Sequence, residues 1–260
     1  GSIANSTIVS GNIAPGNDVG TLATGPLSLA TGASLQWQAA DWAGTAGTGY
    51  DLISAGSLDL TSSTSVTLVL KAESPANFTD TAATFTLVQT TAGITGFDAG
   101  SFTINATAFP GATGHWVPRV SGNDLVIDYT PLTPFEAWQL AEFGPDAGNP
   151  LIAGELADPD GDGIVNLLEY ALATAPNIPG ITTIVRHMEN VSGTDYLRLT
   201  IPKNPAATDL TYTVETTGDL SDSGSWSDTD ALIEEDSPTQ LIVRDTISGP
   251  RRFIRLRVTR

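Results

Sequence analysis

GPLSLATGASLQWQ, residues 25–38, and GSLDLTSSTSVTLV, residues 56–69, are two copies of one pattern. In each, leucine alternates with small polar residues, a turn intervenes, and a second apolar–polar alternation follows. Leu27, Leu29 and Leu35 match Leu58, Leu60 and Val66. Alternation with period two puts the apolar side chains of a strand on one face. A strand–turn–strand unit that repeats with no helix between copies predicts stacked coils, a β-solenoid. A β-sandwich is the competing architecture.

The wider composition agrees with a β-rich, turn-rich chain. Of 260 residues, 40% are hydrophobic and only 15% charged, so sizeable cores can be buried in one large or two to three small domains. The net charge is −18, from 29 acids against 11 bases, and the only lysines are Lys71 and Lys203. Such a chain repels phosphate backbones, which argues against a nucleic-acid partner. The absence of cysteine excludes disulfides and thiolate metal sites. Together these features point to an extracellular or cell-surface setting in a bacterium. No apolar run is long enough for a membrane span, and no signal peptide is visible. The opening Gly1-Ser2 reads as a cloning scar and the chain as part of a longer parent.

Charge shifts near residue 131. Residues 1–130 carry nine of the acids and two of the bases, and Pro131 and Pro134 punctuate the join. Beyond it the pattern turns helical. Thr133 is placed as an N-cap, Pro134 as the first helical residue, and the helix runs to Phe143 with Phe135, Trp138 and Phe143 inward. Gly144-Pro145 ends it. A second helix is expected from Val165 to Ala173, with Val165, Leu168 and Leu172 at helical spacing. From Ile181 onward strands return, expected at 196–201, 210–216, 240–244 and 252–258. In the last, Ile254, Leu256 and Val258 share one face and Phe253, Arg255 and Arg257 the other. Some eighty residues of this kind suit a small antiparallel β-sandwich. The expected domains are therefore a β-helix segment over 1–131, a helical linker over 132–178 and a terminal sandwich over 179–260.

Between the two helices lies DPDGDGIVNLLE, residues 158–169. Carboxylates stand at loop positions one, three, five and twelve, with glycine at six. That is the oxygen spacing calcium requires. Asp158, Asp160 and Asp162 each offer a carboxylate oxygen, Ile164 its backbone carbonyl, Asn166 its side chain directly or through water, and Glu169 closes the site. The expected cofactor is a structural calcium ion that fixes the angle between the β-helix and the terminal domain, bound with a dissociation constant on the order of 10⁻⁴ to 10⁻³ M, as in extracellular modules. An acidic, solvated turn holding no ion is the bland alternative.

Several blocks carry a resemblance. NIAPGNDVGTL (12–22), GTAGTGYDLISAGSLDL (44–60) and VSGNDLVIDYTP (120–131) resemble the repeats of autotransporter-type passenger β-helices. This likeness covers most of residues 10–131 and implies a right-handed parallel β-helix end. It departs from the pattern at Asp18, where serine is usual, and between Asp51 and Gly56, one residue short. Phe135–Trp138, Asp158–Pro176, Thr213–Trp226 and Arg252–Arg260 occur in the order found in the C-terminal region of large secreted proteins of the Verrucomicrobia and their relatives. The loop at 158–169 resembles those of dockerins and thrombospondin type 3 repeats. Dockerins use two such loops to grip a cohesin, and here there is one, which argues against a cohesin partner.

Nothing points to a reaction. His115 and His187 lack catalytic partners in any motif, and no nucleophile elbow or phosphate-cradling loop is present. The reading is a non-enzymatic structural or adhesion-type module, joined to the remainder of its parent chain. The alternative is a carbohydrate-binding module whose partner is extracellular polysaccharide, with Trp37, Trp42, Tyr50 or Trp226 stacking on sugar. A third option is self-processing at Asp158-Pro159 on calcium binding.

Overall fold

The computed structural model describes residues 1–260 except Glu73. The chain is mainly β, with several sheets and few helices, as its composition and alternation lead one to expect. It divides into two compact units, Gly1–Leu132 and Thr133–Arg260.

In the first unit the strands come in sets of three. The first set is β1 (Ser2–Ile3), β2 (Thr7–Val9) and β3 (Asn12–Ile13); the second is β4 (Thr21–Thr24), β5 (Pro26–Leu29) and β6 (Ala33–Gln38). β7 (Leu52–Ala55), β8 (Ser57–Asp59) and β9 (Val66–Lys71) follow, then β10 (Ala83–Thr90), β11 (Ile94–Thr95) and β12 (Phe102–Ala108). Like members of the sets pair in parallel, giving sheets β1-β4-β7-β10, β2-β5-β8-β11 and β3-β6-β9-β12. Parallel register places like upon like. Leu22, Ile53 and Val88 form one apolar column, Leu27, Leu58 and Ile94 a second, and Leu35, Leu68 and Ile104 a third. β13 (His115–Ser121) and β14 (Asp124–Thr130) then add an antiparallel hairpin, with β14 against β10.

One expected match is corrected. Leu27 does pair with Leu58, but Leu35 pairs with Leu68, and Val66 faces Ala33. Between the Leu27–Leu58 and Leu35–Leu68 pairs the second copy holds two residues more than the first, nine against seven. A slip of two leaves every inward residue inward, so alternation alone cannot detect it. The strand after Asp51 is in clear register, Leu22 opposite Ile53 and Ala23 opposite Ser54.

The second unit begins with α1 (Pro134–Phe143), whose start is as expected. The Thr133 side chain accepts from the Glu136 amide and the Glu136 carboxylate accepts from the Thr133 amide, a reciprocal capping box. Phe135 and Phe143 are buried on it, with Trp138 half-buried and stacked on Phe135. α2 (Asn166–Leu172) is shorter than expected, ending at Ala173 in the left-handed conformation. Its buried side chains are Asn166, Glu169, Tyr170, Ala171 and Leu172, while Val165 and Leu168 are only half-buried. Two sheets complete the unit. Four strands, β15 (Val185–Val191), β16 (Thr194–Pro202), β18 (Ala231–Asp236) and β19 (Gln240–Asp245), pair antiparallel in the order β15-β16-β19-β18. β17 (Thr211–Thr217) and β20 (Phe253–Thr259) form the other sheet. Leu199, Ile201, Leu241 and Val243 of the larger sheet and Val214 and Leu256 of the smaller share one apolar cluster with Leu172 of α2. β15 and β18 were not among the strands expected from the sequence.

Candidate metal centre

The segment between the helices is shaped by its own carboxylates. Asp158 accepts from the Gly161 amide through Oδ1 and from the Gly163 amide through Oδ2, both at 2.9 Å. Asp160 accepts from the Asp162 amide at 3.2 Å, and Asp162 Oδ1 from the Ile164 amide at 2.7 Å. These turns need residues 161 and 163 at φ of 76° and 90°, which glycine adopts without a Cβ penalty. Asp162 Oδ2 reaches out of the loop to the Gly180 amide at 2.8 Å.

The effect is convergence. Asp158, Asp160 and Asp162 each bring a carboxylate oxygen within 4.8 Å of the others. Behind them, α2 carries Asn166 and Glu169 inward, 0% and 1% exposed. The Asn166 amide nitrogen donates to the carbonyls of Ile152 and Gly154, at 2.8 and 2.9 Å, which fixes its plane. Its Oδ1, Glu169 Oε2 and Asp160 Oδ2 are buried and have no hydrogen-bond partner. A buried oxygen left unpaired costs free energy, and three in one small region is a pattern that asks for a ligand. Burial first, then the charges of Asp160 and Asp162, push the Glu169 carboxyl up to about 7. Loss of water first, with Asp162 and Asp158 nearby, raises Asp160 as well. A set of crowded oxygen donors that raise one another's proton affinity fits a hard divalent cation, which takes the place of those protons.

Of the six residues expected as ligands, the structure brings Asp158, Asp160 and Asp162 together and sets Glu169 in their field. Asn166 presents a buried, unpaired oxygen from the start of α2. The Ile164 amide is engaged by Asp162, and no described hydrogen bond uses its carbonyl. Contacts that the sequence did not foretell are those of the loop's surroundings: Gly180, Ile152 and Gly154 are far along the chain or carry no side-chain signal.

Other candidates resolve into structure. Trp37 and Trp42 are buried, and with Tyr50, Phe78, Phe85, Phe109, Trp116 and Tyr129 they form one aromatic cluster. Trp226 lies under the Arg255 guanidinium, 4.1 Å from the ring centre. His187 stands on the exposed face of β15, 3.4 Å from the Arg198 guanidinium, and His115 is exposed on β13. Buried Asp51, just before β7, ties itself to the preceding set of strands by accepting from the Gly20 and Gln38 amides at 2.9 and 3.0 Å. Compared with protein-family models, with curated proteins and with solved structures, the chain matches none.

Proposed function

We propose that this chain is a non-enzymatic, calcium-braced structural module of a bacterial surface or secreted protein. The observation that carries the reading is the convergence of three aspartate carboxylates in a loop that also holds three buried, partnerless oxygens, on Asp160, Asn166 and Glu169. Asp158, Asp160, Asp162, Asn166 and Glu169, with the Ile164 carbonyl, are the residues that would hold the ion. Calcium there supplies positive charge and coordination to oxygens that otherwise repel one another. Asp162 also holds Gly180, and Asn166 holds Ile152 and Gly154, so the loop's described partners all lie in the second unit. The brace is therefore internal to that unit, rather than the clamp on an interdomain angle that the sequence alone suggested.

The first unit is proposed to be a right-handed parallel β-helix end, and the two antiparallel sheets of the second a sandwich. Three sheets that each take every third strand, with apolar columns running across the sets, support the first. A core shared by both terminal sheets supports the second. Such a pair would serve as a passive stalk segment attached to a longer parent chain, at or outside the cell surface. No helix among the described residues is long and apolar enough to cross a membrane.

The test is calorimetric titration of the full chain with calcium, paired with melting curves. With a dissociation constant on the order of 10⁻⁴ to 10⁻³ M, 10 mM calcium stabilises the bound unit by about 1.4 to 2.7 kcal/mol. For a unit of this size that raises its melting temperature by roughly 5 to 10 °C. Absence of both binding heat and a melting shift defeats the proposal.

A further inference from the structure

The two sheets of the second unit are unequal, and the smaller leaves part of the larger bare. β18 is an edge strand, and its Ile233 pairs with Val243 of β19, so both side chains point to the same face. Val243 is 1% exposed and Ile233 59%. Between them and β17 lies a groove of about 200 Å³, floored by Ala231, Ile233, Leu241 and Val243 and walled by Tyr212 and Val214.

The wall is a strand edge with backbone to offer. Thr216 exchanges both its backbone bonds with Ser227, at 2.8 and 3.1 Å, on the side of β17 away from β20. In an antiparallel strand the direction of N–H and C=O alternates along the chain. The even-numbered residues Tyr212 and Val214 therefore turn their backbone groups the same way as Thr216, and no described strand pairs with them there. Asp228 also lines the groove, its carboxylate in no described ion pair, and the whole chain carries −18.

We propose that this groove takes an extended strand from a partner protein, with apolar side chains at every second position and lysine or arginine between them. The guest backbone pairs with Tyr212 and Val214 as a third strand of the small sheet, the strand-addition mode of recognition. Its apolar side chains cover Ile233 and the floor, since successive residues face opposite sides. Its basic residues meet Asp228 and the acidic field of the chain. A second copy of this chain is disfavoured as occupant, because two bodies of −18 repel.

The proposal is independent of the metal reading and is tested with the full chain in calcium. The probes are two fluorescently labelled eight-residue peptides, one alternating valine with lysine and one alternating valine with glutamate. The valine–lysine peptide binds, at least tenfold more tightly than the valine–glutamate peptide, and slows hydrogen exchange at the Tyr212 and Val214 amides. Ile233→Lys weakens that binding at least tenfold. Leu232→Lys leaves it unchanged, because Leu232 pairs with Arg244 on the opposite face. Both positions are well exposed, so both variants fold, and Ile233→Ser repeats the loss without added charge. Equal binding of the two peptides, binding indifferent to Ile233→Lys, unchanged exchange at Tyr212 and Val214, or a concentration-dependent dimer that excludes the peptide would each overturn the proposal.

Discussion

The two units solve the same problem, holding strands together without disulfides, in different ways. In the first, parallel register repeats apolar residues in columns, and a single continuous core runs through the unit. Its one described ion pair, Arg119 with Asp128, is at the surface. The second unit has two smaller cores and adds charged contacts to them. Arg198 and Arg244 both reach Glu234 at 2.7 Å, and Arg252 forks onto fully buried Asp245 at 2.6 and 2.8 Å. Repetition lets a core grow by accretion, each set of strands pairing with the last. The second unit, of nearly the same length, divides its apolar interior between two clusters and adds fixed polar contacts. One chain thus uses apolar columns in one unit and ionic staples in the other, each where the local topology permits it.

That contrast can be broken from either side. The largest effect belongs to Arg252→Ala, which strands the Asp245 carboxylate without its guanidinium. It should cost the second unit about 3 to 5 kcal/mol, read as a fall in its own melting transition with the first unit's unmoved. If both transitions fall together, the units are not independent in stability. Next is Leu68→Ala, in the middle of the Leu35–Leu68–Ile104 column. A fully buried leucine lost to a cavity costs about 3 kcal/mol, here in the first unit only, measured by urea denaturation.

Glu169→Gln sharpens the comparison further, because its sign depends on conditions. With calcium, the variant loses most of the ion's stabilisation of about 1.4 to 2.7 kcal/mol. With chelator it melts no lower than the parent, since a buried charge beside three aspartates has been removed. A loss of equal size in both conditions would mark Glu169 as a packing residue alone. The smallest effect is alkaline and shared. Burial first, and then neighbouring acids, push Tyr129 in the first unit and Tyr212 in the second up to about 12. For an acid raised on folding, stability is intact below the unfolded value near 10 and declines as pH climbs from there to 12. At pH 10.5 each tyrosine accounts for less than about 1 kcal/mol, so melting curves of both units should shift modestly and in parallel.

Local signals in the sequence were reliable and nonlocal ones were silent. Thr133, Pro134 and Glu136 lie within four residues, and α1 begins where they place it. The gathering of the three aspartates is legible for the same reason, since Asp158, Asp160 and Asp162 lie within five residues. β15 and β18 escaped because VRHMENV and ALIEED expose residues on both faces, and alternation is the only mark a strand leaves. Burial of Asn166 and Glu169 was foreseen only as ligand chemistry; helical spacing of apolar residues pointed to Val165 and Leu168 instead. The Asp162–Gly180 bond and the Arg252–Asp245 fork join positions that no short pattern connects.

The two extra residues before β9 have a consequence for how this protein can change. They sit at a corner, where Thr31 donates to the Ser62 carbonyl at 2.8 Å, Ser63 donates to the Leu29 carbonyl, and the Gly32 amide reaches Ser65 at 2.7 Å. The added length folds back over the neighbouring corner while Leu35 and Leu68 stay aligned. Bends of this kind act as expansion joints: a graft, an epitope or a binding loop inserted there lengthens the connection and leaves the paired strands beneath it undisturbed.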